Sequence, residues 1–116
     1  MILVFNVGSA SLRWALFDQN LKKLSGEDIE YPDFAELNSL VKNIIRDNPL
    51  LIRENLRIAH RVVHGGTKFT QPTKITPQVL KDLEPLNQLA PLHNPLAIQI
   101  IRTCQQELPE AENYAC

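Results

Sequence analysis

The order of elements in this sequence predicts an α/β sandwich on a mixed sheet. Three observations carry that prediction. Ile2-Leu3-Val4-Phe5 is a continuous apolar run, the pattern of a strand buried on both faces. Two turn clusters follow it, Asn6 to Ser11 and Asp18-Gln19-Asn20, and they make the first 31 residues an antiparallel meander. Beyond Tyr31, stretches with helical periodicity interleave with a further strand, giving the order β-β-β-α-β-α-α.

Each element has a local cause. Leu12 to Phe17 reads as the second strand, with Leu12, Trp14 and Leu16 alternating against Arg13, Ala15 and Phe17. Leu21 to Tyr31 is the third, more polar, with Gly26 at an expected bulge or bend. Asp33 is a helix N-cap after Pro32, and Phe34, Leu37, Leu40, Val41, Ile44 and Ile45 recur at helical spacing until Asn48-Pro49 stops them. Residues 50–55 connect to Arg57-Ile58-Ala59-His60-Arg61-Val62-Val63-His64-Gly65-Gly66, a strand running into a Gly-Gly turn. Thr67 to Lys74 is expected to be loop. Thr76-Pro77 opens a helix carrying Val79, Leu80 and Leu83. Asn94-Pro95 opens another, with an Ala97, Ile100, Ile101 and Cys104 stripe that stops before Pro109. Glu110 to Cys116 is expected to be a polar stub without a packing partner.

Bulk properties exclude several classes. At 116 residues the chain is one domain. A net charge of −1 and the lack of a Lys/Arg run count against general nucleic-acid binding. No apolar stretch approaches the roughly 18 residues of a membrane span. Met1 to Phe5 has no basic flank and is cut by Asn6 and Gly8, so it is not a signal peptide. Cys104 and Cys116 form no disulfide framework, and Cys104 is expected to be a reduced core residue. A cytoplasmic protein without nucleic-acid or membrane partners is the expectation.

Four places could carry chemistry. Strand alternation puts Arg61 and Val63 on one face, a guanidinium beside a small apolar side chain. That pairing suits a short carboxylic acid, although from this window alone Arg61 reads first as a surface side chain. Gly8-Ser9-Ala10-Ser11 is either a plain hairpin turn or a phosphate cradle, with Asn6 beside it as an oxygen donor for a hard cation. It is neither a Walker A loop nor a dinucleotide fingerprint. His60 and His64 lie roughly 13 Å apart on a strand, too far to chelate one ion. His93 precedes a helix N-terminus, where it either caps the turn or adds a donor for an anion.

The motifs together resemble a known family. Asn6-Val7-Gly8-Ser9-Ala10-Ser11-Leu12-Arg13 is similar to the N-terminal signature of the acetate kinase (acetokinase) family, Asn-x-Gly-Ser-Ser-Ser-Leu-Lys. His60 to Gly66, then Phe69, then Leu89-Ala90-Pro91-Leu92-His93-Asn94-Pro95 resemble its second signature and the block after it. The resemblance runs from Ile2 to about Pro109. It implies a ribonuclease H-like, actin-like ATPase domain. It also implies transfer of the γ-phosphoryl group of ATP, with Mg²⁺, to acetate, giving acetyl phosphate. Propionate or butyrate is the alternative acceptor, and a non-catalytic binding or assembly module is the rival from another class.

Carried over residue by residue, the resemblance implies that Arg61 contacts the carboxylate and is catalytic. Val63, Leu92 and His93 would border the acyl substrate. Gly8, Ser9, Ser11 and Arg13 would face ATP, and Asn6 the metal and phosphates. Ala10 stands where the family has serine, and Arg13 where it has lysine. Family members are several times longer, so residues 1–116 are expected to be an N-terminal portion, stopping before the strand that leads to the catalytic aspartate and before the second domain. The full-length form would be a homodimer, formed largely through its C-terminal part.

Overall fold

The apolar N-terminal run becomes the axis of a six-stranded sheet. The computed structural model describes residues 1–8, 10–31, 33–52, 55–61, 72–83 and 94–116. Its strands are β1 (Ile2–Val7), β2 (Ser11–Phe17), β3 (Lys23–Glu30), β4 (Arg57–His60), β5 (Thr73–Lys74) and β6 (Glu112–Ala115). The helices are α1 (Phe34–Arg46), α2 (Pro77–Leu83) and α3 (Asn94–Glu107), with a 3₁₀ turn at Pro49–Ile52. Strand order across the sheet is β3-β2-β1-β4-β6-β5. The meander β1-β2-β3 is antiparallel, β4 runs parallel to β1, β6 runs parallel to β4, and β5 is antiparallel to β6. The mixed sheet with an N-terminal meander is the one the sequence predicts.

Alternation sets which face is inside. Leu3, Phe5 and Val7 on β1 align with Leu16, Trp14 and Leu12 on β2, and all six are buried. Ile58 and His60 continue the face on β4, then Asn113 and Ala115 on β6. Against this face lie Leu37, Val41, Ile44 and Ile45 of α1 and Leu96, Ala97, Ile100 and Cys104 of α3. Each Leu, Ile or Val among them contributes about 1.5–3 kcal/mol on burial. Asn38 of α1 accepts hydrogen bonds from Gln99 (3.0 Å) and Thr103 (2.9 Å) of α3, which fixes how the two helices meet. Leu80 and Leu83 of α2 form a second cluster with Ile75, Ile98, Ile101 and Ala115. Two of the three expected caps are present: Asp33 accepts from the Ala35 N–H at 2.9 Å, and the Thr76 hydroxyl from the Val79 N–H at 3.2 Å; the side chain of the third, Asn94, lies outside the described ones.

The structure departs from the sequence reading in five places. Glu110 to Cys116 is not an unpartnered stub: residues 112–115 form β6, held between β4 and β5. Its inward positions are Asn113 and Ala115, so no large apolar side chain advertises the strand. The expected loop ending at Lys74 closes with β5, two residues long and held by β6. Gly26 is not at the bulge, which lies between Leu16 and Phe17. Instead Gly26 lies under β2, where an added Cβ would come 2.7 Å from the Trp14 carbonyl oxygen. The strand opening at Arg57 ends at His60, with Arg61 just past it; residues 62–66 lie outside the described ones. Finally, β1 is buried on one face only, since Ile2, Val4 and Asn6 are half-exposed on the other.

Candidate functional site

The half-exposed face of the sheet gathers the polar residues that the motifs single out. Asn6 sits directly across from Arg13 in the β1–β2 ladder, so their side chains share this outer face. In the parallel β1–β4 ladder Phe5 pairs with His60, and the Arg61 N–H donates to the Phe5 carbonyl at 3.1 Å. Continuing that register by one residue puts Arg61 beside Asn6. Arg13, Asn6 and Arg61 thus form a row across three adjacent strands. At about 4.8 Å per strand the two arginine backbones are roughly 10 Å apart, with one amide between them. This spacing suits an anion larger than one oxygen, held from two sides.

Their surroundings differ. Arg13 is exposed and paired with Asp28 of β3 at 3.0 Å, a contact that holds its guanidinium toward the meander edge. Arg61 is exposed at the end of β4. Its backbone is fixed by the bond to Phe5, and the carbonyl just before it, that of His60, accepts from the Cys116 N–H at 2.9 Å. The ends of the parallel strands β1, β4 and β6 therefore emerge in step. Ligands of open α/β sheets collect at such carboxyl ends.

The turn after β1 is held from below by a residue the sequence reading did not single out. The Tyr31 hydroxyl donates to the Gly8 carbonyl, and the Tyr31 N–H to the Ala10 carbonyl at 3.1 Å. The Gly8 N–H is also used, donating to the Ser11 carbonyl at 2.7 Å. Of the cradle expected here, the Gly8 N–H is therefore spent on the hairpin. The Ser11 N–H belongs to the same peptide as the Ala10 carbonyl that Tyr31 ties down, and points the other way. A Cβ at Gly8 would meet only the Ser11 carbonyl (3.6 Å) and hydroxyl (3.7 Å), so the fold does not demand glycine there. An open hollow lined by Ala10, Ser11, Glu30 and Tyr31 adjoins the turn. A tyrosine at a strand end is a common packing residue, and only the tertiary hydrogen bonds distinguish this one.

Ser9, Val63, Leu92 and His93 lie outside the described residues, as does His64. His60 is buried, with Nε2 bonded to Asn113 at 2.8 Å. Among the described residues no three His, Cys, Asp or Glu side chains gather around a common point. Among the described residues, the candidate oxygen donor for a cation is the Asn6 amide. That fits an ion such as Mg²⁺ brought in mainly by phosphate and water oxygens, not one caged by protein. Burial pushes the Cys104 thiol far up, consistent with an inert core residue.

The mixed six-stranded sheet with its helices is an actin-like ATPase type of α/β domain, present in part. The profile of the acetokinase family matches residues 22–116, and the chain belongs to that family. It is 36% identical to acetate kinase 1 of Vibrio vulnificus over 99% of this chain and 35% of that protein. The crystal structure of acetate kinase from Entamoeba histolytica superposes with a TM-score of 0.80 at 30% identity, over 99% of this chain and 34% of that one. A propionate kinase from Francisella tularensis gives 0.76 at 30% identity, over 98% and 35%. The chain thus spans about a third of the length of its relatives. Among the described residues no helix is long and apolar enough to cross a membrane.

Proposed function

We propose that this chain supplies the N-terminal part of an ATP-dependent short-chain carboxylate kinase, acting in the cytoplasm, that converts acetate and ATP to acetyl phosphate and ADP. The observation that carries the reading is the Arg13–Asn6–Arg61 row beside the Gly8 turn, in a chain of the acetokinase family. Arg61 grips the substrate carboxylate through its planar fork and steadies the phosphoryl group in flight. Asn6, Gly8, Ser9 and Ser11 face the phosphates, and Arg13, drawn aside by Asp28, adds long-range charge. Mg²⁺, when bound, neutralises phosphate oxygens, with Asn6 as the residue to hold it or its water. Val63 and Leu92 border the acyl tail and His93 adds a donor, as the family resemblance implies. In-line transfer depends mainly on positioning, so a third of the enzyme is not expected to turn over alone. The full-length enzyme is expected to dimerise.

Propionate is the second acceptor to consider, because the acetate kinase of Entamoeba and the propionate kinase of Francisella are equally identical to this chain. Distinguishing them is a matter of pocket volume, worth about 1–3 kcal/mol per methylene.

Titration of the ¹⁵N-labelled chain with MgATP and with acetate tests the proposal. Amide shifts should concentrate at Asn6, Gly8, Ser11 and Arg61, while an acyl-hydroxamate assay on the same sample stays at background. Shifts confined to another surface would overturn the site. Turnover at the rate of a full-length acetate kinase would overturn the reading of the chain as one part of a larger machine.

A further inference from the structure

Two polar side chains interrupt the buried face of the sheet, and they meet each other. His60 is 1% exposed and Asn113 is 4% exposed. His60 Nε2 lies 2.8 Å from Asn113 Oδ1, while Asn113 Nδ2 faces the Ala111 carbonyl at 3.5 Å. That orientation makes Oδ1 the acceptor and puts the ring proton on Nε2. Nδ1 is left buried without a hydrogen-bond partner among the described residues. The ring also stacks on Phe5, centroids 5.9 Å apart and planes 18° from parallel. One side chain on β4 therefore touches both neighbouring strands, directly beneath Arg61.

The contact is diagonal. In the β4–β6 ladder Asn113 pairs with Ile58, and His60 with Ala115. Sliding β6 along β4 by two residues would keep every side chain on its own face. Apolar patterning hardly resists that slip, because β6 offers only Asn113 and Ala115 inward. The hydrogen bond resists the slip that carries Asn113 away from His60, because the Nε2–H and the Asn113 amide would then both be buried unpaired. We propose that His60 and Asn113 form a register lock between β4 and β6, and that this lock, with the His60 ring stacked on Phe5, steadies the end of β4 that carries Arg61 beside β1. The Cys116 N–H to His60 carbonyl bond, flanking the Arg61 peptide, exists only in the locked register. The lock rests on the carboxylate-kinase reading only for what Arg61 then binds.

Amide hydrogen exchange on the 116-residue chain tests it, with His60→Leu, His60→Gln and Asn113→Leu. His60→Leu should cut protection of the Arg61 and Cys116 amides at least tenfold relative to Trp14 and Leu16. His60→Gln, whose amide can still donate to Asn113, should recover most of it. The acetate-induced shift at Arg61 should weaken at least tenfold in affinity in His60→Leu, and by less than threefold in His60→Gln. Uniform loss of protection across the sheet, or lost protection at Arg61 with unchanged acetate affinity, would overturn the positioning role. If His60→Leu does not fold, Asn113→Leu takes its place. The ring itself gives a third test, since an Nδ1–H tautomer in the unmodified protein contradicts the lock. A wild-type chain with no acetate response would instead count against the proposed substrate, and the exchange pattern would still decide the lock.

Discussion

Two glycines separate what the backbone requires from what a ligand would require. Gly26 has a carbonyl oxygen where a Cβ would go, 2.7 Å away, and the Ala15 Cα at 3.2 Å. Gly26→Ala must push β2 and β3 apart, and we expect a loss of about 1–3 kcal/mol in urea unfolding. Gly8 has only ordinary contacts waiting. Gly8→Ala should leave stability within about 0.5 kcal/mol or raise it slightly, by stiffening the unfolded chain. On the proposed function it should nonetheless weaken MgATP binding severalfold, because the methyl stands in the mouth of the turn. Equal stability with unchanged MgATP affinity would make this glycine incidental. Tyr31 belongs beside it as the residue that ties the Gly8 and Ala10 carbonyls back.

Capping is the device that makes the helices readable from the sequence. Asp33→Ala removes the acceptor for the Ala35 N–H, and thermal unfolding should report about 1 kcal/mol of destabilisation. Asn at the same position should restore most of it. Where such signals stand next to apolar periodicity, as at Asp33 with Leu37 and Val41 or Thr76 with Leu80, the elements were legible. Asn6 and Arg13 could be placed on one short hairpin, but their row with Arg61 comes only from the β1–β4 ladder. The strands β5 and β6 were not legible. β5 has only two residues, and β6 turns an asparagine inward, which reads as polar until His60 is placed beside it. A partner 53 positions away leaves no local trace. Tyr31 was missed for the same reason: its role is made by the Gly8 carbonyl, 23 positions earlier.

At the scale of the whole molecule the buried imidazole ties stability to acidity. Burial lowers the His60 pKa from 6.5 to about 4, and the hydrogen bond to Asn113 offsets only part of that. The unfolded chain therefore binds a proton between pH 6.5 and 4 that the folded chain refuses. The contribution is fully present above 6.5 and is lost as pH falls toward 4. Two and a half pH units correspond to about 3 kcal/mol. Urea unfolding from pH 7 to pH 4.5 should show this decline, and His60→Gln should flatten it. The sheet order has a further consequence, for the ribosome. Of the six described strands β6 is made last, yet it lies between β4 and β5. Until residues 112–115 leave the exit tunnel, β5 has no strand to pair with, and α2 lacks Ala115 from the small cluster it packs into. The nascent chain should thus hold its meander and α1 early and gain its other edge in one late step. Pulse proteolysis of stalled chains should find Lys74 and Lys81 open to trypsin until that step, and closed at once after it.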